Sequence, residues 1–174
     1  MIFRRIFQAG AQSGVIMCLG DVACQSTCNI LDSKYLSTID YRRTLQMGLV
    51  GLTLHGPYMY LAFSKVDAFF GSSASLLNVV RKSLLIQVTA FPFYVMLLFG
   101  YLGFLEGRVF PTGIWDNIKE KVPKAYLSGC FFWPFANALG FRFVPSENRV
   151  IYLASVGIVW NAYISYINSL VKVV

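Results

Sequence analysis

The sequence predicts an all-α fold, a polytopic bundle of transmembrane helices that forms one domain over residues 1–174. The chain is 56% hydrophobic and only 13% charged, which is about half the charged share of ordinary soluble domains. So few charges could hardly cover the surface of a small protein in water. We therefore expect the lipid bilayer to be the solvent of this chain and its main partner.

The positions of the basic residues favour a membrane protein over a nucleic-acid-binding protein. The net charge is +7, yet the cations form no stripe interleaved with stacking aromatic side chains. They lie at the ends of apolar runs, where membrane helices place Lys and Arg beside the headgroups. The clusters are Arg4-Arg5, Arg42-Arg43, Arg81-Lys82, Lys119 to Lys124 and Lys172. We expect no nucleic-acid partner.

Five apolar stretches predict the helices, since a membrane span needs about twenty largely apolar residues. The first, Ile6–Leu31, is diluted by polar residues and predicts an amphipathic helix that lies in the interface or crosses the membrane. Four further stretches predict confident spans: about Leu45–Phe63, Leu84–Leu105, Tyr126–Val144 and Val150–Val171. The connectors, roughly 32–43, 64–82 and 106–124, are too short for a soluble domain, and the second could hold a short interfacial helix.

Enzymatic or metal chemistry has no pattern behind it. The single histidine, His55, falls inside a predicted span, where a hydrogen-bonded packing role is commoner than a proton relay. The four cysteines include no Cys-x-x-Cys pair and have no histidine partner of the kind a zinc site requires. We predict no enzymatic activity, no cofactor and no metal.

Several polar side chains inside the predicted helices are costly when they face lipid, so we expect them to face the interior. One interpretation is that they form hydrogen bonds between helices. The other is that they line a polar pathway through the bundle. Interhelical hydrogen bonding is the favoured interpretation, and both remain open from the residues alone. The candidates are Asp21, Gln25, Gln87, Asn137 and Asn161.

Two motifs occupy the C-terminal part of the chain: WP-x-x-N-x-x-x-F-x-x-VP-x-x-x-R and then WN-x-Y-x-S. Their residues are Trp133, Pro134, Asn137, Phe141, Val144, Pro145, Arg149, Trp160, Asn161, Tyr163 and Ser165. Upstream landmarks fall in a matching order: Gly20, Asp21 and Gln25; Asp40, Arg43 and Thr44; Gly56, Pro57 and Asp67; Gln87 and Pro92. The chain thereby resembles the Mpv-seventeen and twenty-two-kilodalton peroxisomal membrane protein family over nearly its whole length.

The resemblance implies a small helical protein of the mitochondrial inner membrane or, alternatively, of the peroxisomal membrane. It also implies a channel or solute-permeability role in metabolite homeostasis. The alternative function is a structural or accessory subunit of a larger mitochondrial membrane complex, without transport activity of its own. A homo-oligomer or such a complex would then be the protein partner.

The landmark residues themselves predict a helical hairpin at the C-terminal end. We expect Trp133-Pro134 to bend or end a helix, Pro145 to stop it, and Arg149 to start the next one. The other landmarks, among them Gly20, Gly56 and Trp160, are expected to serve packing.

Overall fold

A computed structural model describes the backbone of residues 2–31, 38–71 and 75–171, and their side chains except those of 28–31 and 161–171. The described residues form helices joined by short turns and contain no strand, which confirms the all-α prediction. The α-helices are α1 (Ile2–Leu31), α2 (Tyr41–Val50), α3 (Gly56–Phe70), α4 (Leu76–Leu85), α5 (Phe91–Leu105), α6 (Thr112–Phe143) and α7 (Arg149–Val171).

Two π-helical turns join four of these helices into two long rods. Gly51–His55 connects α2 directly to α3, and Ile86–Ala90 connects α4 directly to α5. Each rod therefore has ten α-helical residues, five π-helical residues and fifteen α-helical residues. The sequence shows no convincing internal repeat, but the two rods repeat the same order and lengths of helical segments.

A proline follows each π turn, at Pro57 and Pro92, as the second residue of the later helix. Proline lacks an N–H donor, and its ring clashes with the carbonyl four residues earlier in a regular α-helix. A π turn is wider because its N–H groups bond five residues back. The widened turns thus give the proline rings room without ending either rod.

Helix α1 makes its main contacts with the rod from α2 to α3 and with α7, while α6 packs against α4, α5 and α7. Close approach of α1 to the first π turn depends on glycine, because a Cβ built on Gly51 would lie 2.6 Å from the Cα of Gly14. The backbones are thus in direct contact, as small residues allow in membrane helices.

The structure has polar residues inside and large apolar residues outside. Buried polar side chains include Asp21, Gln25, Thr44, His55, Lys82, Ser83, Gln87, Asn117, Asn137 and Arg149. On the outside of α6, Phe131 is 81% exposed and Phe135 is 74% exposed. The core also contains apolar residues such as Phe63, Phe91 and Val95, but this many buried polar and exposed large apolar side chains is unusual for a water-soluble domain.

By length and apolar composition, one helical stretch of the described residues, Leu76–Leu105, qualifies as a membrane span. It contains the predicted span Leu84–Leu105 and extends it toward the N-terminus. The other three predicted spans lie on helices that do not pass this test, so the count of four is not confirmed by it.

Two predicted connectors are wrong in their extents. The described part of residues 64–82 holds the end of α3 and most of α4, so a short helix is present there as expected, but the two flanking helices leave little connector between them. Residues 106–124 hold the first part of α6, which begins at Thr112. The Glu120 and Lys124 side chains are four residues apart, a spacing that supports helix despite the intervening Pro123.

The prediction that Pro134 could end a helix is also wrong. Helix α6 continues through this residue to Phe143. Val144 and Pro145 then adopt extended backbone, a 3-10 turn covers Ser146–Asn148, and α7 begins at Arg149. Helices α6 and α7 form an antiparallel hairpin in which the Tyr152 hydroxyl donates to the Ala136 carbonyl at 3.0 Å.

Candidate functional site

A polar cavity of about 360 Å³ opens at the end of the bundle where α1 begins and where α6 turns into α7. We call it the vestibule. Its volume falls within the range of small-molecule sites. Helix α1 contributes Arg5, Gln8, Ala9 and Gln12, helix α3 contributes Tyr60, Ser64 and Asp67, and the α6–α7 connection contributes Ser146 and Glu147.

A much smaller cavity of about 20 Å³ adjoins the vestibule and shares several of its lining residues. We call it the floor pocket, since it lies between the vestibule wall and the buried residues behind it. Ser64, Asp67 and Ser146 line both spaces, and Arg149 lines the floor pocket. A space of this size holds about one water molecule.

One carboxylate at the floor, that of Asp67, pairs with two cations. The Lys82 Nζ atom donates to Asp67 Oδ1 at 2.8 Å, and an Arg149 guanidinium nitrogen donates to Asp67 Oδ2. The side chains of Lys82, Arg149 and Asp67 are 2%, 10% and 22% exposed. Charges this deeply buried are tolerated only when they are paired and hydrogen-bonded.

The chain brings these three residues together from α3, α4 and the first residue of α7. Gly71 has a φ of +74°, a value that glycine adopts readily and that lets the chain turn just after Phe70. The Gly71 carbonyl accepts a second hydrogen bond from Lys82 Nζ at 2.6 Å. Gly71 therefore both ends α3 and binds the buried ammonium group.

Helix α6 completes the charge cluster. The Phe141 ring centroid lies 5.2 Å from Lys82 Nζ and 4.8 Å from Arg149 Cζ, within the range of cation–π attraction. The Arg149 Nε atom also donates to the Val144 carbonyl at 3.1 Å. One group of side chains therefore connects four helices at this end of the bundle.

The rim of the vestibule carries charges of both signs, Arg5 and Glu147. The pKa of the Glu147 carboxyl is lowered, first by a hydrogen bond from its own backbone N–H and then by the Ser146 hydroxyl. The positive charges of Arg5 and Arg149 lower it further. Glu147 is therefore ionised at neutral pH.

Asp21 and Gln25 lie elsewhere, in a polar network between α1 and the start of α2. Gln25 Nε2 donates to Asp21 Oδ2 at 2.6 Å, and the Thr44 hydroxyl donates to the same oxygen at 2.8 Å. Arg43 Nε pairs with Asp21 Oδ1 at 2.9 Å, and the Asp40 backbone N–H donates to Gln25 Oε1 at 2.7 Å. The first two groups of upstream landmarks, Gly20 to Gln25 and Asp40 to Thr44, therefore supply the two sides of one interhelical contact.

Of the remaining predicted polar residues, Gln87 and Asn137 do not line the vestibule. Gln87 lies in the second π turn, where its amide contacts the Cys130 sulfur of α6 at 3.3 Å and its Oε1 is buried without a hydrogen-bond partner. Asn137 is buried on α6, about two turns beyond Cys130. The side chain of Asn161 lies outside the described residues. Among the four candidates whose side chains are described, Asp21 and Gln25 are the two in direct contact.

Several landmark residues lie at helix contacts. A Cβ built on Gly20 would lie 2.6 Å from the Ile158 side chain of α7, and Gly56 lies directly against the backbone of α1. The Trp133 and Trp160 ring centroids are 6.0 Å apart across the α6–α7 contact.

The vestibule was not predicted from the sequence. Asp67 and Lys82 were both assigned to a connector, so their pairing was missed. The sequence does contain a usable signal. Asp67 and Lys82 are an acid and a base fifteen residues apart with Gly71 between them, a spacing that fits the two sides of a helical hairpin. Gln8 and Gln12 share a helix face, but the sequence does not reveal what that face contacts.

Comparison with known proteins agrees with this architecture. Residues 103–165 match the Mpv17 / PMP22 family. The chain is 30% identical over 163 residues to the mitochondrial inner membrane protein Mpv17 of Drosophila melanogaster, covering 91% of this chain and 92% of that protein. The chain belongs to the Mpv17 / PMP22 family. The predicted resemblance is therefore confirmed.

Other relatives of this Mpv17 / PMP22 protein are similarly distant. It is 31% identical over 142 residues to PXMP2/4 family protein 4 of Dictyostelium discoideum, covering 79% of this chain and 71% of the relative. It is 25% identical over 154 residues to the human mitochondrial inner membrane protein Mpv17, covering 88% and 85%. No solved structure gives a significant match.

These names bear on localisation. The Drosophila and human relatives are named as mitochondrial inner membrane proteins, which agrees with the localisation predicted for this chain. The name of the Dictyostelium relative fits the peroxisomal alternative. This Mpv17 / PMP22 protein is thus a membrane protein, as its composition predicts.

Proposed function

We propose that this protein crosses the mitochondrial inner membrane five times and provides a route for small polar solutes. The five passes are α1, the rod from α2 to α3, the rod from α4 to α5, the apolar part of α6, and α7. A rod of thirty residues is about 45 Å long, enough to cross a hydrocarbon core of about 30 Å with polar ends on both sides.

Outward-facing side chains support more than one pass. Leu45 and Leu49 on the rod from α2 to α3 are 66% and 43% exposed, and Phe131 and Phe135 on α6 are exposed still more. Exposed apolar residues on several helices of one bundle are costly in water and favourable in lipid. The proposal therefore rests on the surfaces of the helices as well as on their lengths.

The vestibule is the observation that carries the solute route. Packing of the helices alone does not require a cavity lined by polar residues, with two buried cations and one carboxylate at its inner end. Ionisable residues inside a membrane protein are expensive and usually serve a pathway or a binding site. The floor pocket is no larger than a water molecule, so under this proposal the Asp67–Arg149 pair would be the closed point of the route.

Reconstitution tests the proposal. Purified protein in liposomes should release trapped phosphate, succinate and sucrose faster than protein-free liposomes do. Glu106→Gln should behave as wild type, because the Glu106–Arg108 pair is exposed at the other end of the bundle. Asp67→Asn should change the flux, because it breaks the pair that closes the floor. Protein that is verified as folded and still releases none of these solutes would exclude the proposed route.

A structural or accessory role is the second candidate. It is favoured by the contact between α1 and α2, where Asp21 and Gln25 are engaged in packing rather than open to a solute. Under this alternative the protein would migrate with a larger complex on a native gel after a salt wash, and the liposomes would stay sealed.

A further inference from the structure

We infer that the floor of the vestibule binds a small anion of carboxylate or phosphate chemistry, and that this anion replaces Asp67 as the partner of Arg149. The binding site stands on the geometry of the charge cluster. Its use in transport rests on the proposed function.

The charges of the cluster are unequal. Among the buried groups, Lys82 and Arg149 supply two positive charges and Asp67 supplies one negative charge. At the rim, the negative charge of Glu147, which also acts on Arg149, is offset by the positive charge of Arg5. The excess positive charge is largely removed from water, where an attraction to an anion is stronger than at an exposed surface. An anion on Arg149, with Asp67 kept by Lys82, would give each cation one negative partner.

The groups around the floor pocket suit such a ligand. A guanidinium group has five N–H donors, and the described contacts of Arg149 use one at Nε and one at a terminal nitrogen. Ser64 and Ser146 place hydroxyl-bearing side chains beside it. Arginine with neighbouring hydroxyls is a common arrangement for binding carboxylates and phosphates, because the planar donors match two oxygens at once.

Lys82 and Arg149 have different roles in this exchange. Lys82 is almost completely buried and is held by Asp67, the Gly71 carbonyl and the Phe141 ring. It therefore stays with Asp67. Arg149, the first residue of α7, lines the floor pocket, which shares Ser64, Asp67 and Ser146 with the vestibule.

Because the floor pocket is so small, a bound anion requires Asp67 to move away from Arg149. That movement separates α3 from the start of α7, the two helices that this ion pair joins. The same exchange that binds the anion thus loosens the closed end of the bundle. A monovalent cation offers no such exchange, because it would meet an excess of positive charge.

Binding can be measured without transport. Wild-type protein in a neutral detergent would be titrated with sodium phosphate and with sodium succinate by isothermal calorimetry, with sodium chloride at matched ionic strength as the reference. We expect saturable binding of phosphate or succinate that chloride does not reproduce. Arg149→Lys keeps the charge but removes the planar donors, and we expect at least tenfold weaker binding. Glu106→Gln, at the other end of the bundle, should bind as wild type does.

The competition with Asp67 has its own test. Asp67→Asn removes the internal competitor and should bind phosphate more tightly than wild type. If that variant does not fold, Ser146→Ala replaces it and should weaken binding severalfold. Absence of saturable binding to wild-type protein would overturn the inference, as would equal binding by wild type and Arg149→Lys.

A lipid headgroup offers the same phosphate chemistry as a free solute. Phosphatidylglycerol titrated into the detergent would compete with phosphate if the natural source is a lipid. Unchanged phosphate binding in its presence would identify a free solute. Flux and binding separate the two proposals: phosphate binding without flux removes only the route, while flux of all solutes without phosphate binding removes only the anion site.

Discussion

Replacing Asp67 by asparagine should destabilise the protein severely. The substitution keeps the size of the side chain and removes its charge, which leaves Lys82 and Arg149 buried without a carboxylate. Removing one partner of a buried ion pair costs about 3–5 kcal/mol. The Gly71 carbonyl and the Phe141 ring still stabilise Lys82, so we expect the lower end, about 3 kcal/mol.

The loss can be measured by unfolding in mixed micelles with an increasing mole fraction of a denaturing detergent, followed by tryptophan fluorescence. The control is Glu106→Gln, whose partner Arg108 is 42% exposed, and we expect a change below about 1 kcal/mol. The double variant Asp67→Asn with Lys82→Met should recover part of the stability, because it removes one of the unpaired charges. A stability of Asp67→Asn within 1 kcal/mol of wild type would refute the reasoning about the cluster.

Three further substitutions test other parts of the structure. Gly51→Ala forces a methyl group into the backbone of α1 and should cost about 1–3 kcal/mol in unfolding free energy. Its control is Gly157→Ala, where the added methyl group meets open space, and this variant should be neutral or stabilise by up to about 1 kcal/mol. Equal effects of the two substitutions would contradict the close contact between Gly51 and α1. Asp21→Asn should cost about 2 kcal/mol and release Arg43, seen as faster hydrogen exchange at the start of α2; unchanged exchange would count against the network. The pKa of Glu147 is lowered in the folded protein, so its ionised form stabilises the fold above the unfolded pKa, and this contribution is lost as the pH falls through the folded pKa. The difference in unfolding midpoint between wild type and Glu147→Gln should therefore shrink in acid. A difference that stays constant with pH would disprove this.

The helical character of the chain could be predicted because composition and apolar runs determine it locally. The end of α6 and the start of α7 were also readable, since Pro145 cannot continue a helix and its neighbours are turn formers. Apolar content alone did not determine the number of membrane passes, because polar residues on buried faces lower the apolar content of helices that expose apolar side chains to the outside.

The π turns could not be predicted from periodicity. Five residues in an α-helix advance by about 140° beyond a full turn, so Gly51 and Gly56 would point in different directions. In the π turn the Gly56 N–H bonds to the Gly51 carbonyl, which stacks the two glycines on the face that meets α1. The prolines indicated an irregularity, but they did not indicate its type.

The vestibule was beyond sequence reasoning for a different reason. Its lining comes from the start of α1, from α3 and from the α6–α7 connection, and nothing local to any one segment shows that they meet. Asp21 and Gln25 were recognisable as one helix face, four residues apart, yet their partners Asp40, Arg43 and Thr44 become apparent only in the folded structure.

The contact between Asp67 and Lys82 across the Gly71 turn also has a consequence for biogenesis. Both residues belong to one helical hairpin, so their charges can neutralise each other before the C-terminal third of the chain has been synthesised. A hairpin that carries an internal ion pair enters the bilayer at a lower cost than two helices with separate charges. Arg149 lies at the start of the last helix, so its pair with Asp67 can form only after that part of the chain has been synthesised.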